Sequence, residues 1–213
     1  THLPENKACG MARQSVQYGE MKHAARIEAE KKVATAAAPK RDGFAHDIDR
    51  DNGKEEWLTP PEIVRAVGPF DLDPCSPIKR PWPTAKTHFT IEDNGLTKPW
   101  EGYVWCNPPY GPKTGEWLAR CAEHNNCMAL VFARTETAAF QKHVWPKARA
   151  LYFLKGRVRF YHVDGRQGGT AGAPSVLIAY GQHAQNILRG LSELAGHYIA
   201  NAPNIAGGWG DEK

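Results

Sequence analysis

The chain reads as a single α/β domain on a mostly parallel sheet that closes in an antiparallel strand pair, and three observations predict it. Short apolar runs alternate with segments of helical spacing. Gly and Pro punctuate the joins between them. Near the end, two strand-like runs, Ala150–Leu154 and Ser175–Tyr180, follow one another across a glycine-rich loop and are expected to pair. With 213 residues, 41% of them hydrophobic, the chain can build one sizeable core.

Residues 1–52 stand apart, because Met21–Arg41 is rich in Ala, Lys, Arg and Glu and nearly devoid of large apolar side chains. Met21–Ala38 has good helix formers but no wide stripe to dock, so a basic, flexible extension is expected there. Met11 is expected to be the natural start. The domain should occupy 53–200. Its first helix is Pro60–Val67, with Thr59 as N-cap and Pro60 at the first helical position. Strands follow at Phe70–Asp73, Thr87–Ile91 and Tyr103–Cys106. Thr114–His124 is helical, since Trp117, Leu118 and Cys121 share a face. Met128–Ala133 is a buried strand and Thr135–Val144 a helix, before the strand pair. Ile187, Leu188, Leu191, Leu194 and Tyr198 are spaced as one last amphipathic helix, and a loose Gly- and Asn-rich tail begins at Asn201.

The chemistry concentrates where Tyr103–Cys106 runs into Asn107-Pro108-Pro109-Tyr110. An amine on a conjugated ring is a poor nucleophile, because its lone pair is shared with the ring. Two oxygens accepting its two N–H bonds favour a tetrahedral nitrogen and free that pair. Asn107 and the carbonyl of Pro108 are the expected acceptors. Pro108 and Pro109 fix the backbone and remove two donors that would otherwise quench them, and Tyr110 offers a ring on which a base can stack. The reading is methylation of an exocyclic amine.

Asn-Pro-Pro-Tyr resembles the catalytic motif of amino-methyltransferases that use S-adenosylmethionine. Glu56-Trp57-Leu58-Thr59-Pro60-Pro61, Phe70-Asp71-Leu72-Asp73-Pro74-Cys75 and the run from Gly172 to Gly181 are similar to the phage-type DNA N-6-adenine methyltransferases, the Dam-like family. Asp93-Asn94-Gly95-Leu96, the run from Phe132 to Thr137, and Lys155-Gly156-Arg157 fit the same pattern in order. The resemblance covers about Glu56 to Gly181. It implies an abbreviated Rossmann-like methyltransferase fold, S-adenosylmethionine as cofactor, DNA as partner, and transfer to adenine N6 without metal or covalent enzyme intermediate. Host mimicry or protection from restriction are the purposes it hints at.

Trp57, Thr59 and Pro60 match the family's first cofactor motif, the ring covering the ligand and the hydroxyl reaching its polar end. The loop after the first long strand is Asp73-Pro74-Cys75-Ser76-Pro77, which lacks the usual glycines. Asn107 follows Asp73 by only 34 positions, too few for two strand–helix units, so the nucleotide-binding half is expected to be shortened. Asp73 ends its strand and can pair with the ammonium of the methionine moiety, with Pro74 and Cys75 beside it; Asp93 can accept from the cofactor's adenine amine or ribose.

A net charge of +4 mildly favours a polyanionic partner. The candidate DNA contacts are Lys155, Arg157, Arg159 and Arg166 on the loop between the last two strands, and Lys79 and Arg80, with Lys86 and Trp82, on the loop after Asp73. A base within a duplex must swing out to reach Asn107. Five cysteines, no apolar run of membrane-spanning length and no secretory signal place the expectation in a reducing cytoplasm, that of a bacterial host or phage-infected cell, with no membrane partner. A monomer or weak dimer is expected. Cys121, His124 and Cys127 have a spacing that suggests a metal, but without a nearby fourth ligand a structural role is the reading. Methylation of RNA or of a protein glutamine, or a catalytically inactive DNA-binding relative, are the alternatives.

Overall fold

Strands buried on both faces read as continuous apolar runs, and a computed structural model that describes residues 56–201 shows what each face meets. In chain order the elements are β1 (Trp57–Leu58), α1 (Pro61–Val67), β2 (Leu72–Asp73), β3 (Thr87–His88), β4 (Val104–Cys106), α2 (Thr114–His124) and β5 (Cys127–Phe132). Then come α3 (Ala138–His143), β6 (Ala150–Leu154), β7 (Arg159–His162), β8 (Gln167–Thr170), β9 (Ser175–Tyr180), α4 (Gln182–Arg189) and β10 (Gly196–Ala200). The seven-stranded sheet has the order β10-β6-β9-β5-β4-β2-β3. Strands β3, β2, β4 and β5 are parallel neighbours, while β9 is antiparallel to both β5 and β6, so five of the seven strands run the same way.

Successive side chains of a strand point to opposite faces. Cys127, Ala129 and Val131 of β5, with Val176, Ile178 and Tyr180 of β9, therefore pack on Trp117, Leu118 and Cys121 of α2 and Phe140 of α3. Met128, Leu130, Leu177 and Ala179 face the other way, onto Ile63, Val64 and Val67 of α1 and Ala184 and Leu188 of α4. Cys121 and Cys127 thus sit in the core, and His124 Nε2 lies 2.9 Å from the carbonyl of Gly102.

The expected pairing of Ala150–Leu154 with Ser175–Tyr180 is present, with Leu151 opposite Ile178. Other expectations are corrected. Helix α1 starts at Pro61, with Pro60 in the cap position and no side-chain cap, so Thr59 is not its N-cap. The strands expected at Phe70–Asp73 and Thr87–Ile91 pair over only two residues each. Helix α3 begins later than Thr135, where Thr137 Oγ1 accepts from the Phe140 N–H at 3.3 Å. The last helix stops at Arg189; Leu191 and Leu194 pack on the core from the connection, and Tyr198 belongs to β10, opposite Tyr152. Asn201, expected to begin the tail, donates from Nδ2 to the carbonyls of Trp145 and Ala148 at 2.8 and 2.7 Å. The segment between β6 and β9 is a hairpin: β7 pairs with β8 and, on its other side, with β1, forming a second, three-stranded sheet. Val158, Phe160 and Ala171 anchor it to the core beneath. The expected basic extension, its Met21–Ala38 helix, the start at Met11 and the tail beyond Asn201 lie outside the described residues.

The chain passes from β2 to β3 on one side and then to β4 on the other. Progress across the sheet reverses at β2, and in open α/β sheets the crevice at the carboxyl ends of the strands flanking such a reversal is where ligands bind. Asp73 ends β2 and Asn107 follows β4.

Candidate active site

Two loops leave that crevice, and a cysteine joins them. Cys75 Sγ donates to the backbone carbonyl of Asn107 at 3.3 Å and lies 3.9 Å from Cys106 Sγ. Its own N–H donates to Asp73 Oδ1 at 3.1 Å. Contact with Cys106 and burial push the Cys75 thiol well above its usual range, so it stays protonated and able to donate. Cys106, Cys121 and Cys127 continue inward as a row of buried thiols, each pushed up chiefly by burial.

The Asn107–Tyr110 loop has three carbonyls that count. That of Asn107 is taken by Cys75, and that of Pro109 accepts from Thr114 Oγ1 at 3.1 Å. Thr114, first in α2, also accepts from the Gly111 N–H at 3.1 Å, which fixes the far end of the loop. Among the described residues no donor reaches the carbonyl of Pro108. The side-chain oxygen of Asn107 is buried and accepts no hydrogen bond among them either. Leaving such an acceptor unsatisfied costs about 1–3 kcal/mol. Two oxygens on successive residues are thus left without donors among the described residues, in a loop whose prolines cannot supply any. Tyr110 stacks one ring face on Phe132, at the end of β5, with centroids 4.2 Å apart and 13° between planes. Phe160 of β7 meets the same ring edge-on at 6.5 Å.

The Asp73 side is equally ordered. Its carboxylate is buried and accepts from Thr84 Oγ1 as well as from Cys75. Burial raises its pKa to about 6, against the pull of those two donors. His88 Nε2 accepts from the N–H groups of Thr84 and Ala85 at 3.2 and 3.3 Å, and burial keeps that ring neutral by lowering its pKa. The loop from Pro74 to Lys86 is therefore folded back on the strand ends. Asp93 Oδ2 accepts from the Thr90 N–H at 2.9 Å and from its hydroxyl at 3.2 Å, so the Asp93 carboxylate shapes its own turn. Gly95, buried in that turn, brings it against the first loop: a Cβ there would stand 1.9 Å from the carbonyl of Pro74, so only glycine fits. Its carbonyl is held by Trp100 Nε1 at 2.8 Å. Gly95 and Pro74 are adjacent for this reason.

Trp57, Thr59 and Pro60 enter from the second sheet. The Trp57 ring meets His162 at 4.6 Å and lies on Gly168 of β8, where a Cβ would come within 2.5 Å of it. Thr59 is buried and its hydroxyl has no partner among the described residues. Sequence reasoning missed the element that connects these parts. Three consecutive residues of β7 touch three separate segments: Phe160 the Tyr110 ring, Tyr161 the Trp82 ring at 5.2 Å, and His162 the Trp57 ring. The only signal was the aromatic run itself.

The hairpin also gathers the basic residues. Lys79 and Arg80 lie on the loop that Trp82 ties to Tyr161; Lys155, Arg157, Arg159 and Arg166 lie on or beside the hairpin. Lys79, Lys155 and Arg159 are exposed on the whole or in part and make no ion pair among the described residues. The others are engaged by their own backbone or neighbours. Arg80 donates to the carbonyl of Pro77 at 2.8 Å, Arg157 to those of Ala171 and Gly172 at 3.2 and 2.7 Å, and Arg166 pairs with Asp164 at 2.7 Å. Lys86 pairs with Asp71 at 2.8 Å. No helix among the described residues is long and apolar enough to cross a membrane.

Comparison with curated proteins and with solved structures found no match. A family model described as DNA N-6-adenine-methyltransferase (Dam) matches residues 48–191, which span both loops, α4 and every strand of the two sheets except β10. With two-thirds of its length matched, the chain belongs to the DNA N-6-adenine-methyltransferase (Dam) family.

Proposed function

We propose that the protein transfers a methyl group from S-adenosylmethionine to N6 of adenine in DNA. One observation carries this reading: Asn107 Oδ1 is buried without a donor beside a Pro108 carbonyl that likewise has none. An exocyclic amine has two N–H bonds to satisfy both. The order of strands, with its reversal at β2 and a half reduced to β3 beyond it, supports a Rossmann-like methyltransferase sheet.

The residues present fit the cofactor. Asp73 is a dehydrated carboxylate with two lone-pair sites beyond those taken by Cys75 and Thr84, suited to an ammonium. The Thr59 hydroxyl is a buried polar group that lacks a partner, and the Gly95 turn brings Asp93 to the same loop. Trp57, Pro60, Pro74 and Cys75 complete the cradle in this reading. Bound S-adenosylmethionine supplies a methyl group on a positively charged sulfur that keeps the bond electrons when the methyl leaves.

The chain's own part is to prepare the amine. Asn107 Oδ1 and the Pro108 carbonyl accept the two N6–H bonds, and the nitrogen lone pair is turned out of the ring to form the new C–N bond. Pro108 and Pro109 hold these acceptors still, so little reorganisation is needed during reaction. Tyr110, stacked on Phe132, places an aromatic ring at the end of the loop, the kind of surface an adenine packs against. Asn107 Oδ1 then holds the proton that the nitrogen sheds to solvent. Lys79, Lys155 and Arg159 neutralise phosphates, while Arg80, Arg157 and Arg166 shape the backbone of the two loops that carry them.

The test is to incubate the protein with methyl-labelled cofactor and, separately, DNA, RNA or protein, and to digest each to nucleosides or amino acids. Label in N6-methyldeoxyadenosine is the expected result. Label in ribonucleosides or in glutamine would assign the other substrates, and no label in any would indicate an inactive relative.

A further inference from the structure

Three large apolar side chains stand exposed among the described residues: Ile78 at 48%, Ile91 at 82% and Ile199 at 45%. Ile199 lies on β10, the edge strand at the opposite end of the sheet from β2 and β3. Ile91 sits beside Glu92 and Asp93, two acids that repel phosphate. Ile78 is placed differently, next to Lys79 and Arg80.

Its loop is built to stay rigid. Pro77, Pro81 and Pro83 restrict the backbone, and Arg80 donates to the carbonyl of Pro77 across the residue in question. Trp82 fastens the loop to Tyr161 of the hairpin. Cys75, three residues before Ile78, donates to the carbonyl of Asn107. Three residues reach at most about 11 Å. Ile78 therefore stands within about 11 Å of Cys75, the residue whose thiol touches the loop proposed to receive the adenine.

A base leaving a duplex opens a gap between its neighbours, and unstacking is the main cost of that step; apolar side chains inserted between base steps offset it. We infer that Ile78 is the wedge that enters the stack as the adenine leaves, a positioning residue for duplex DNA. The inference rests on the function proposed above. Lys79 beside it holds the flanking phosphate, so charge and wedge act at one point on the strand.

The experiment measures methyl transfer to one DNA preparation, annealed or heat-denatured, by wild type, Ile78→Ala and Ile78→Leu. A wedge matters only while there is a stack to open. Ile78→Ala should lose about ten- to a hundredfold in rate on the annealed form and stay within about twofold on the denatured form. Ile78→Leu, which keeps the apolar volume, should stay near wild type on both. Equal loss on both forms, or none on either, overturns the inference alone, as does a wild type active only on denatured DNA. A wild type inactive on both overturns the proposed function and the inference with it.

Discussion

Replacing Asn107 with alanine should make the protein more stable while disabling it. The side-chain oxygen is buried and accepts nothing among the described residues, a deficit of about 1–3 kcal/mol that alanine removes. Asn107 is only partly buried as a residue, so the packing lost with its side chain is small, and a net gain of about 1 kcal/mol remains. For a domain of this size that raises Tm by about 2–4 °C. In the proposed reaction the same oxygen is one of two acceptors for the amine. Removing one such preorganised group lowers kcat by about a hundred- to a thousandfold. Cofactor affinity should hold within about twofold, because Asp73, Thr59 and Asp93 are untouched. Thermal melting, calorimetric titration with cofactor and single-turnover methylation read the three quantities. A variant that melts several degrees lower, or keeps its rate within tenfold, refutes the reasoning: the oxygen would then be satisfied at rest or idle in catalysis.

Other expectations follow from the same geometry. Gly95→Ala places a methyl against the Pro74 carbonyl and must part the two loops; a loss of about 1–3 kcal/mol in a denaturant titration, with at least tenfold weaker cofactor binding, is expected. Asp73, with its pKa raised to about 6, carries charge only above that pH. Cofactor affinity should thus fall up to about tenfold per pH unit below 6, and Asp73→Asn should bind weakly without that dependence. The free protein should show the opposite sign in thermal melts, losing stability as pH rises from 3.8 to about 6, where the folded state binds the proton more tightly than the unfolded chain. Replacing Lys155 and Arg159 together by alanine should reduce the salt slope of DNA binding by about 2, whereas Arg157→Ala should act mainly on stability by releasing the Ala171 and Gly172 carbonyls.

What the sequence disclosed follows from what each residue packs against. Val104–Cys106, Cys127–Phe132 and Ser175–Tyr180 are buried on both faces and read as continuous apolar runs, so their positions were legible. The spacing from Asp73 to Asn107 left no room for two strand–helix units, and only β3 lies beyond β2. The hairpin was not legible, because of Arg159–His162 only Phe160 is fully buried and Gln167–Thr170 has no apolar residue at all. Tyr198 misled for another reason: with Leu191 and Leu194 it keeps a helical interval, yet all three pack on the same core from a turn and a strand. Thr59, Asn107 and Tyr110 stood out as residues, but nothing in the sequence foretold which backbone carbonyls would be consumed. That depended on Cys75 and Thr114, which act across the fold.

The row of cysteines behind the Asn107–Tyr110 loop has a chemical consequence for the enzyme itself. Sulfur anions are better methyl acceptors than aromatic amines, and Cys75 touches the very carbonyl of Asn107. Held as neutral thiols by their dry surroundings, the four are poor competitors, and the enzyme is spared from alkylating itself.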